Sequence, residues 1–222
     1  MAISKLNFNS LNVTPSASSA IGFDSGADDL ETGAGGGSMV FIKKLTATSG
    51  TATMSFVNGA SSVVLDSTYK EYVFIFNNIH PSSDTGSNDF QFNMSVDTGS
   101  NYNASKTTTA FYAFHPESDS NSGLSYDVNF DLGNGTGFQD IAPNVGGGND
   151  EAGSGILHLY NPSSTTFVKH FTCRSIVHEI DSRAFDTYTA GYANTTSAVD
   201  AVRFQMSDTN IDSGTITLYG IT

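Results

Sequence analysis

Short stretches of alternating apolar and polar residues, separated by turn residues, constrain the fold of this chain more than any other feature. Residues 89–97 read D-F-Q-F-N-M-S-V-D, in which four apolar side chains alternate with three polar ones. A period of two places successive side chains on opposite faces of a β-strand. We therefore predict that the apolar set is buried and that the polar set, Gln91, Asn93 and Ser95, faces water.

The same strand signals recur along the chain from residue 39, and no segment shows a sustained helical period of 3.6 residues. The predicted strands are Met39–Thr46, Thr51–Val57, Tyr72–Phe76, Asp89–Asp97, Thr107–Phe114, Ser125–Leu132, Gly155–Tyr160, Thr165–Val177, Phe185–Tyr192, Val199–Ser207 and Gly214–Gly220. The continuous apolar run of Tyr72–Phe76 indicates a central strand that is covered on both faces.

About eleven short strands joined by polar turns predict an all-β protein, an antiparallel β-sandwich with a jelly-roll-like arrangement. The side chains predicted to fill its core are Phe74, Phe76, Phe90, Phe92, Met94, Leu157, Phe204, Ile216 and Leu218. Turn residues also occur where strands must reverse, as in Asn58-Gly59 and Asn134-Gly135.

The first 38 residues differ from the rest, because they are polar and end in the flexible segment G-A-G-G-G-S. We predict two parts: residues 1–38 form an N-terminal arm or docking segment, and residues 39–222 form the β-sandwich. The arm either docks on a neighbouring molecule or folds back on its own sandwich. Two long connections, Pro81–Asn88 and Gly133–Ser154, are the first places to expect a recognition surface.

The charge balance excludes several classes of partner. The net charge is −13 and only 14% of the residues are charged. Such a chain has no electrostatic reason to bind nucleic acid or an anionic membrane surface. The acidity serves either solubility or cation binding. The N-terminal residues lack the apolar core of a signal peptide, and no apolar run approaches membrane-spanning length. We therefore expect synthesis in a cytoplasm, without export by the usual route and without membrane insertion.

The single cysteine and the five histidines offer little catalytic chemistry. Cys173 lies in the apolar-rich stretch Phe167–Val177, so we predict a buried, inert thiol. No histidines have the H-x-x-x-H or H-E-x-x-H spacing. His158 and His170 lie in predicted strands and would bind a metal only if those strands brought them together. The alternative is that the histidines lie on a surface or an interface.

Carboxylates are the strongest catalytic candidates, because glycosidases use two of them. The candidates in the sandwich are Glu117 with Asp119, Asp150 with Glu151, and Glu179 with Asp181. All are expected in loops, where each pair would share one wet environment that gives no reason for one member to stay protonated. The chain also lacks Trp, a frequent platform in carbohydrate-cleaving grooves. We therefore predict that the protein is not an enzyme, although carboxylates from distant loops leave a polysaccharide depolymerase as the alternative.

No cofactor is expected, and calcium is the candidate ion. Two loops supply several oxygen ligands within a few residues, as calcium sites require, although the D-x-D-x-D-G pattern is absent. The candidate ligands are Asp24, Asp28, Asp29, Asn149, Asp150 and Glu151.

Five segments are similar to a known group of proteins. The chain ends S-G-T-I-T-L-Y-G-I-T over Ser213–Thr222, which resembles the last strand of many phage tail-fibre and related jelly-roll modules. Asn161–Phe171 and Gly191–Asp200 resemble marine bacteriophage structural proteins, as do Met1–Asn9 and Phe76–Pro81. The resemblance spans the whole chain and implies a virion component. It carries over no catalytic residues.

The sequence therefore predicts a non-enzymatic virion surface protein that is assembled in the host cytoplasm. We expect it to form a homotrimer and to contact other virion proteins. Two roles stay open. A tail-fibre or spike adhesin would bind a host-surface glycan, which suits the long loops and the Tyr-rich, weakly charged surface. A capsid decoration protein would grip the shell through the arm or a broad face. A depolymerase and a free lectin are the alternatives.

Overall fold

The computed structural model describes residues 21–23, 30–32, 38–84 and 88–222. In these ranges every regular element is a β-strand, so none of the described residues forms a helix that could span a membrane. The strands are β1 Ile21–Phe23, β2 Leu30–Thr32, β3 Met39–Thr46, β4 Met54–Val57, β5 Glu71–Pro81, β6 Phe90–Ser95, β7 Lys106–Pro116, β8 Gly123–Tyr126, β9 Gln139–Ala142, β10 Gly153–Tyr160, β11 Lys169–Glu179, β12 Arg183–Ala193, β13 Ala201–Met206 and β14 Ile211–Ile221. The predicted all-β class is confirmed.

The strands form two packed sheets and one separate ribbon. The larger sheet has eight strands in the order β3-β14-β5-β10-β11-β12-β7-β8, and the smaller has four in the order β4-β13-β6-β9. The antiparallel ribbon of β1 and β2, in which Ile21 lies opposite Thr32, belongs to a different unit of the chain. The predicted antiparallel β-sandwich is therefore correct. The domain boundary at residue 38 stays a prediction.

Aromatic side chains fill the space between the two sheets. Phe204 of β13 stacks on Phe90 of β6, with ring centroids 5.7 Å apart, and packs against Phe74 of β5 at 5.4 Å. Phe92 meets Phe171 of β11 edge-to-face at 4.9 Å. All nine predicted core side chains are fully buried. This follows from the period of two, because the inward position of each strand is the apolar one.

The prediction that the polar face of β6 is exposed to water is wrong. Asn93 and Ser95 are fully buried, whereas Val96, predicted to be buried, is exposed. The reason is tertiary: the Asn93 amide donates hydrogen bonds to the carbonyl of Tyr102 at 2.6 Å and to that of Thr136 at 3.0 Å. Two connecting segments therefore cover this face of the small sheet, which the local pattern does not reveal.

Two other strand predictions need correction. Ser125–Leu132 was predicted as one strand, but β8 ends at Tyr126 because the Asp127 carboxylate accepts the Asn129 N–H at 2.9 Å and turns the chain. The predicted long loop Gly133–Ser154 contains the short strand β9, which pairs with β6 at the edge of the small sheet.

The outer face of the eight-stranded sheet is the main surface that the fold exposes. Strand β5 is central, as predicted, between β14 and β10. Its outer face is covered at Val73, which is 1% exposed, and the sheet is more open beside it, since Ile156 and Ile176 are 40% and 49% exposed and Phe111 is 41% exposed. Exposed apolar surface on a folded domain is a candidate site of interaction.

Candidate functional site

A groove runs over β5, β10, β11 and β12 on this outer face; we call it the outer groove. It encloses about 760 Å³, and alternate residues of the four strands line it. A second hollow of about 430 Å³, the end hollow, lies beside it, and Ser154 and Ile176 line both. Together they form an elongated depression, which is the shape that ligand sites most often have.

The floor of the outer groove is aliphatic. Ile75 of β5 lies directly opposite Ile156 of β10, and Ile176 of the next strand, β11, lies two residues along from Arg174, the β11 residue opposite Ile156. The apolar run of β5 explains this floor, because every second residue of a strand points away from the core. The outward position therefore receives Ile75, although no second layer covers it in the described part of the chain.

One wall of the outer groove is a fixed ion pair. The Arg174 guanidinium donates from Nε to Asp186 Oδ1 at 3.1 Å and from Nη2 to Oδ2 at 2.8 Å. These hydrogen bonds raise the pKa of Arg174 above its ordinary value. The guanidinium also lies over the Tyr188 ring, 4.9 Å from its centroid, and the other face of that ring stacks on Phe111. Arg174 thus has a partner on two sides, and its side chain, 65% exposed, leaves the remaining N–H groups accessible from the groove.

A second polar pair lies at the opposite end of the floor. His158 Nδ1 lies 2.5 Å from Glu71 Oε1, across the β10–β5 pairing. Beside it, the Tyr160 hydroxyl and the Thr172 hydroxyl are 3.2 Å apart. The aliphatic floor therefore lies between two sets of hydrogen-bonding groups, each already held by a partner within the protein.

The end hollow contains a histidine between two carboxylates. His178 Nε2 lies 3.2 Å from Glu117 Oε1, and His178 Nδ1 lies 3.1 Å from Glu151 Oε1. In the loop that contains Glu151, the carbonyl oxygen of Gly148 lies 3.1 Å from His80 Nε2. These contacts fasten the glycine-rich loop of residues 146–151. This predicted recognition loop is packed against the sandwich, and its role in recognition stays a prediction.

The structure separates the carboxylate pairs that the sequence singled out. Glu179 is the last residue of β11, not a loop residue, and is only 2% exposed. It accepts from Arg183 Nη2 at 2.6 Å and from Nε at 2.7 Å, while Asp181 is exposed. The expectation of one shared wet environment is therefore wrong for this pair. Glu179 can be buried while Asp181 is exposed because the Arg183 guanidinium compensates the buried charge of Glu179.

The other two pairs are also divided between different partners. Glu117 is exposed and meets His178, whereas the neighbouring Asp119 lies 3.2 Å from His115. Asp150 is exposed, and Glu151 turns inward, where Oε2 accepts the Gly148 N–H at 2.7 Å. Neither pair forms two carboxylates facing a common groove.

The candidate calcium ligands fall into two sets. Asp24, Asp28 and Asp29 lie outside the described residues. Asn149 and Asp150 are exposed, while Glu151 is engaged with the Gly148 amide and His178. Within residues 38–84 and 88–222, no three His, Cys, Asp or Glu side chains form a group that could hold a metal ion.

The two strand histidines have separate partners. His158 faces Glu71, and the ring of His170 lies 6.2 Å from that of Tyr192 on the adjacent strand β12. The strands of the two histidines do pair, but His158 lies opposite Thr172 rather than His170.

Three ionisable groups have a pKa that burial shifts, and they were not predicted from the sequence. Lys106 is fully buried, and its Nζ donates to Asn93 Oδ1 at 2.6 Å and to the Ala104 carbonyl at 2.8 Å. Burial lowers its pKa to about 7. Lys169 is also buried, which lowers its pKa, and burial raises the pKa of Asp140 to about 7. For the two lysines, the only sequence signal is a charged residue at an inward strand position.

The predicted burial of Cys173 is confirmed. Its thiol is buried in the core, and burial raises the pKa far above the ordinary value of a cysteine. A thiol in that state is neither a nucleophile nor a metal ligand.

No protein-family model, curated protein or solved structure matches this chain. The resemblance to marine phage structural proteins therefore stays a prediction that rests on the segments quoted above.

Proposed function

We propose that this protein is a non-enzymatic virion surface protein, an adhesin of the tail-fibre or spike type, and that the outer groove binds its host-surface receptor. The sequence resemblance supports the virion role. One structural observation supports the receptor site: a solvent-exposed aliphatic floor lies between two fixed polar pairs on the outer face. Apolar surface combined with a few well-placed polar groups is the usual composition of a recognition site.

Binding without turnover is favoured by the state of the groove carboxylates. Hydrolysis of a glycosidic bond needs one protonated carboxyl group and one ionised partner. Asp186 is held by a bidentate arginine, and Glu71 contacts His158. Burial does raise the pKa of Asp140 and of Asp89, but Asp140 lies on the small sheet beside Gln91, Asp89 directly precedes β6 of that sheet, and neither lines the groove. A depolymerase is therefore the alternative that the test must address.

The adhesin role is preferred to capsid decoration because the outer groove has a floor and defined polar ends. A protein that grips a shell through a broad face would not need such a depression. In the decorating role the outer face would pack against other virion proteins, and the arm of residues 1–38 would share that contact.

The test is attachment of the labelled full-length protein to a panel of marine bacteria. We expect saturable attachment to at least one strain, and its loss in Ile156→Lys, which places a charge on the groove floor. Val128→Lys is the matched control, because it introduces the same charge at an exposed aliphatic residue outside the groove. Attachment to no strain, or equal loss in both variants, would favour the decorating role. Shortened surface polysaccharide would indicate the depolymerase.

A further inference from the structure

We infer that the outer groove takes an uncharged, extended oligosaccharide that lies along β10 and β11. This inference rests on the proposed receptor-binding function and specifies its ligand.

The absence of charge on the ligand follows from the ion pairs. The charges of Arg174 and Asp186 offset each other, and at the other end Glu71 Oε1 lies 2.5 Å from His158 Nδ1. Because the two charges of the Arg174–Asp186 pair offset each other, an ionic ligand gains little net Coulomb attraction there. The net charge of −13 also opposes the approach of polyanions.

The polyhydroxyl character follows from the hydrogen-bonding groups that remain. A guanidinium has five N–H groups, and a carboxylate has about four acceptor positions. Arg174 and Asp186 use two of each on one another. The groove therefore presents both donors and acceptors in fixed positions, and a ligand hydroxyl can meet either because it donates and accepts.

The aliphatic floor fits the less polar face of a sugar ring. Ile75 and Ile156 lie on adjacent strands, directly opposite one another, and a strand spacing of about 4.8 Å separates them. C–H groups of a ring placed over both would bury their exposed surface, while hydroxyls at the ring edge reach the polar groups on either side. A wholly apolar ligand would cover the remaining donors and acceptors of those groups without pairing them, which is unfavourable.

The extended shape follows from the length of the depression. It runs from Thr172 to His178 along β11, through the outer groove and the end hollow. The six residue-to-residue steps from Thr172 to His178 span about 20 Å of a strand. A single monosaccharide would fill only part of that length, so the ligand is a chain of several sugar units.

The experiment measures binding of the full-length protein to an array of neutral and uronic-acid oligosaccharides of graded length. We expect neutral chains to bind, with affinity that rises with length, and uronic-acid chains to bind at least about tenfold more weakly. Asp186→Asn should invert this preference, because it leaves the Arg174 charge unpaired in the groove. Asp181→Asn, which also removes a carboxylate from an arginine, is the control outside the groove and should change neither affinity.

Three outcomes would overturn the inference. Attachment to cells with preferential binding of uronic-acid chains would leave the receptor function intact and reject the uncharged ligand. Attachment to cells with no oligosaccharide binding would point to a protein receptor. An outer groove occupied by a second copy would appear as a self-association that Ile156→Lys disperses and that no oligosaccharide competes. Absence of both cell attachment and oligosaccharide binding would reject the proposed function itself.

Discussion

At the scale of single residues, the buried Lys106 links stability to pH. Its Nζ has two hydrogen-bond acceptors, the Asn93 side chain and the Ala104 carbonyl, and neither carries a negative charge. The charged form therefore loses its hydration without an opposite charge in exchange. Burial accordingly lowers the pKa of Lys106 to about 7, from 10.5.

We predict that Lys106 makes the free energy of unfolding rise between pH 7 and pH 10. In this window the unfolded chain holds a proton on Lys106 that the folded chain has released, so stability increases with pH. The contribution is on the order of a few kcal/mol. Urea unfolding of the wild type and of Lys106→Met should diverge across this range, with the wild type gaining relative to the variant. Lys70→Met is the exposed control. A difference that does not change with pH would contradict the prediction.

Phe92 is the second residue that carries a quantitative prediction. Its ring is fully buried and packs on Phe171 between the two sheets. Phe92→Ala should lower the free energy of unfolding by about 3–5 kcal/mol, because it removes a large apolar group and leaves a cavity. Chemical denaturation measures the loss. The control Phe167→Ala removes an exposed ring and should cost less than about 0.5 kcal/mol. Equal effects would show that the core assignment is wrong.

At the scale of elements, β10 depends on a glycine. A Cβ at Gly155 would lie 2.5 Å from the Arg174 carbonyl oxygen and 2.5 Å from the Phe76 ring. Gly155→Ala should therefore destabilise the protein by about 1–3 kcal/mol through overpacking. At Gly137 an added Cβ meets nothing within 4 Å, so Gly137→Ala is the matched control and should be nearly neutral. Thermal unfolding compares the two, and similar melting temperatures would contradict the packing of β10 against β5.

Many of the strands could be predicted from the sequence, for a physical reason. Strand β3 coincides with the predicted Met39–Thr46, and β13 lies within the predicted Val199–Ser207, because alternation and turn residues are local signals. Strand β9 was missed because four residues at a sheet edge carry too short a pattern. The buried Asn93 was missed because distant segments cover it.

The candidate site could not be predicted from the sequence in the same way. Glu71, His158, Arg174 and Asp186 are scattered along the chain and meet only through the pairing of β5, β10, β11 and β12. The carboxylates predicted as candidates are neighbours in the sequence, whereas the sheet brings together residues that are far apart in the sequence. The apolar run of β5 did contain a signal, since one of its two faces supplies the groove floor.

At the scale of the whole molecule, we predict a homotrimer. The eight-stranded sheet ends in the short strand β8, where Leu124 and Tyr126 are exposed and where association with a neighbour would cover the free edge. Light scattering at micromolar concentration should give three times the mass of one chain. Because the net charge of −13 opposes association, the trimer should strengthen with added salt. A monomer mass at all salt concentrations would contradict it.

The central claim is that the outer face of the eight-stranded sheet binds the receptor without cleaving it. Hydroxyl-radical footprinting of the full-length protein, with and without host-surface polysaccharide, tests this most directly, because oxidation reports the exposure of each side chain. We predict that Ile156, Ile176 and Tyr188 become protected, that the exposed Val128 and Phe167 do not, and that the polysaccharide keeps its length. Protection confined to residues outside the outer groove, or shortened polysaccharide, would contradict the claim.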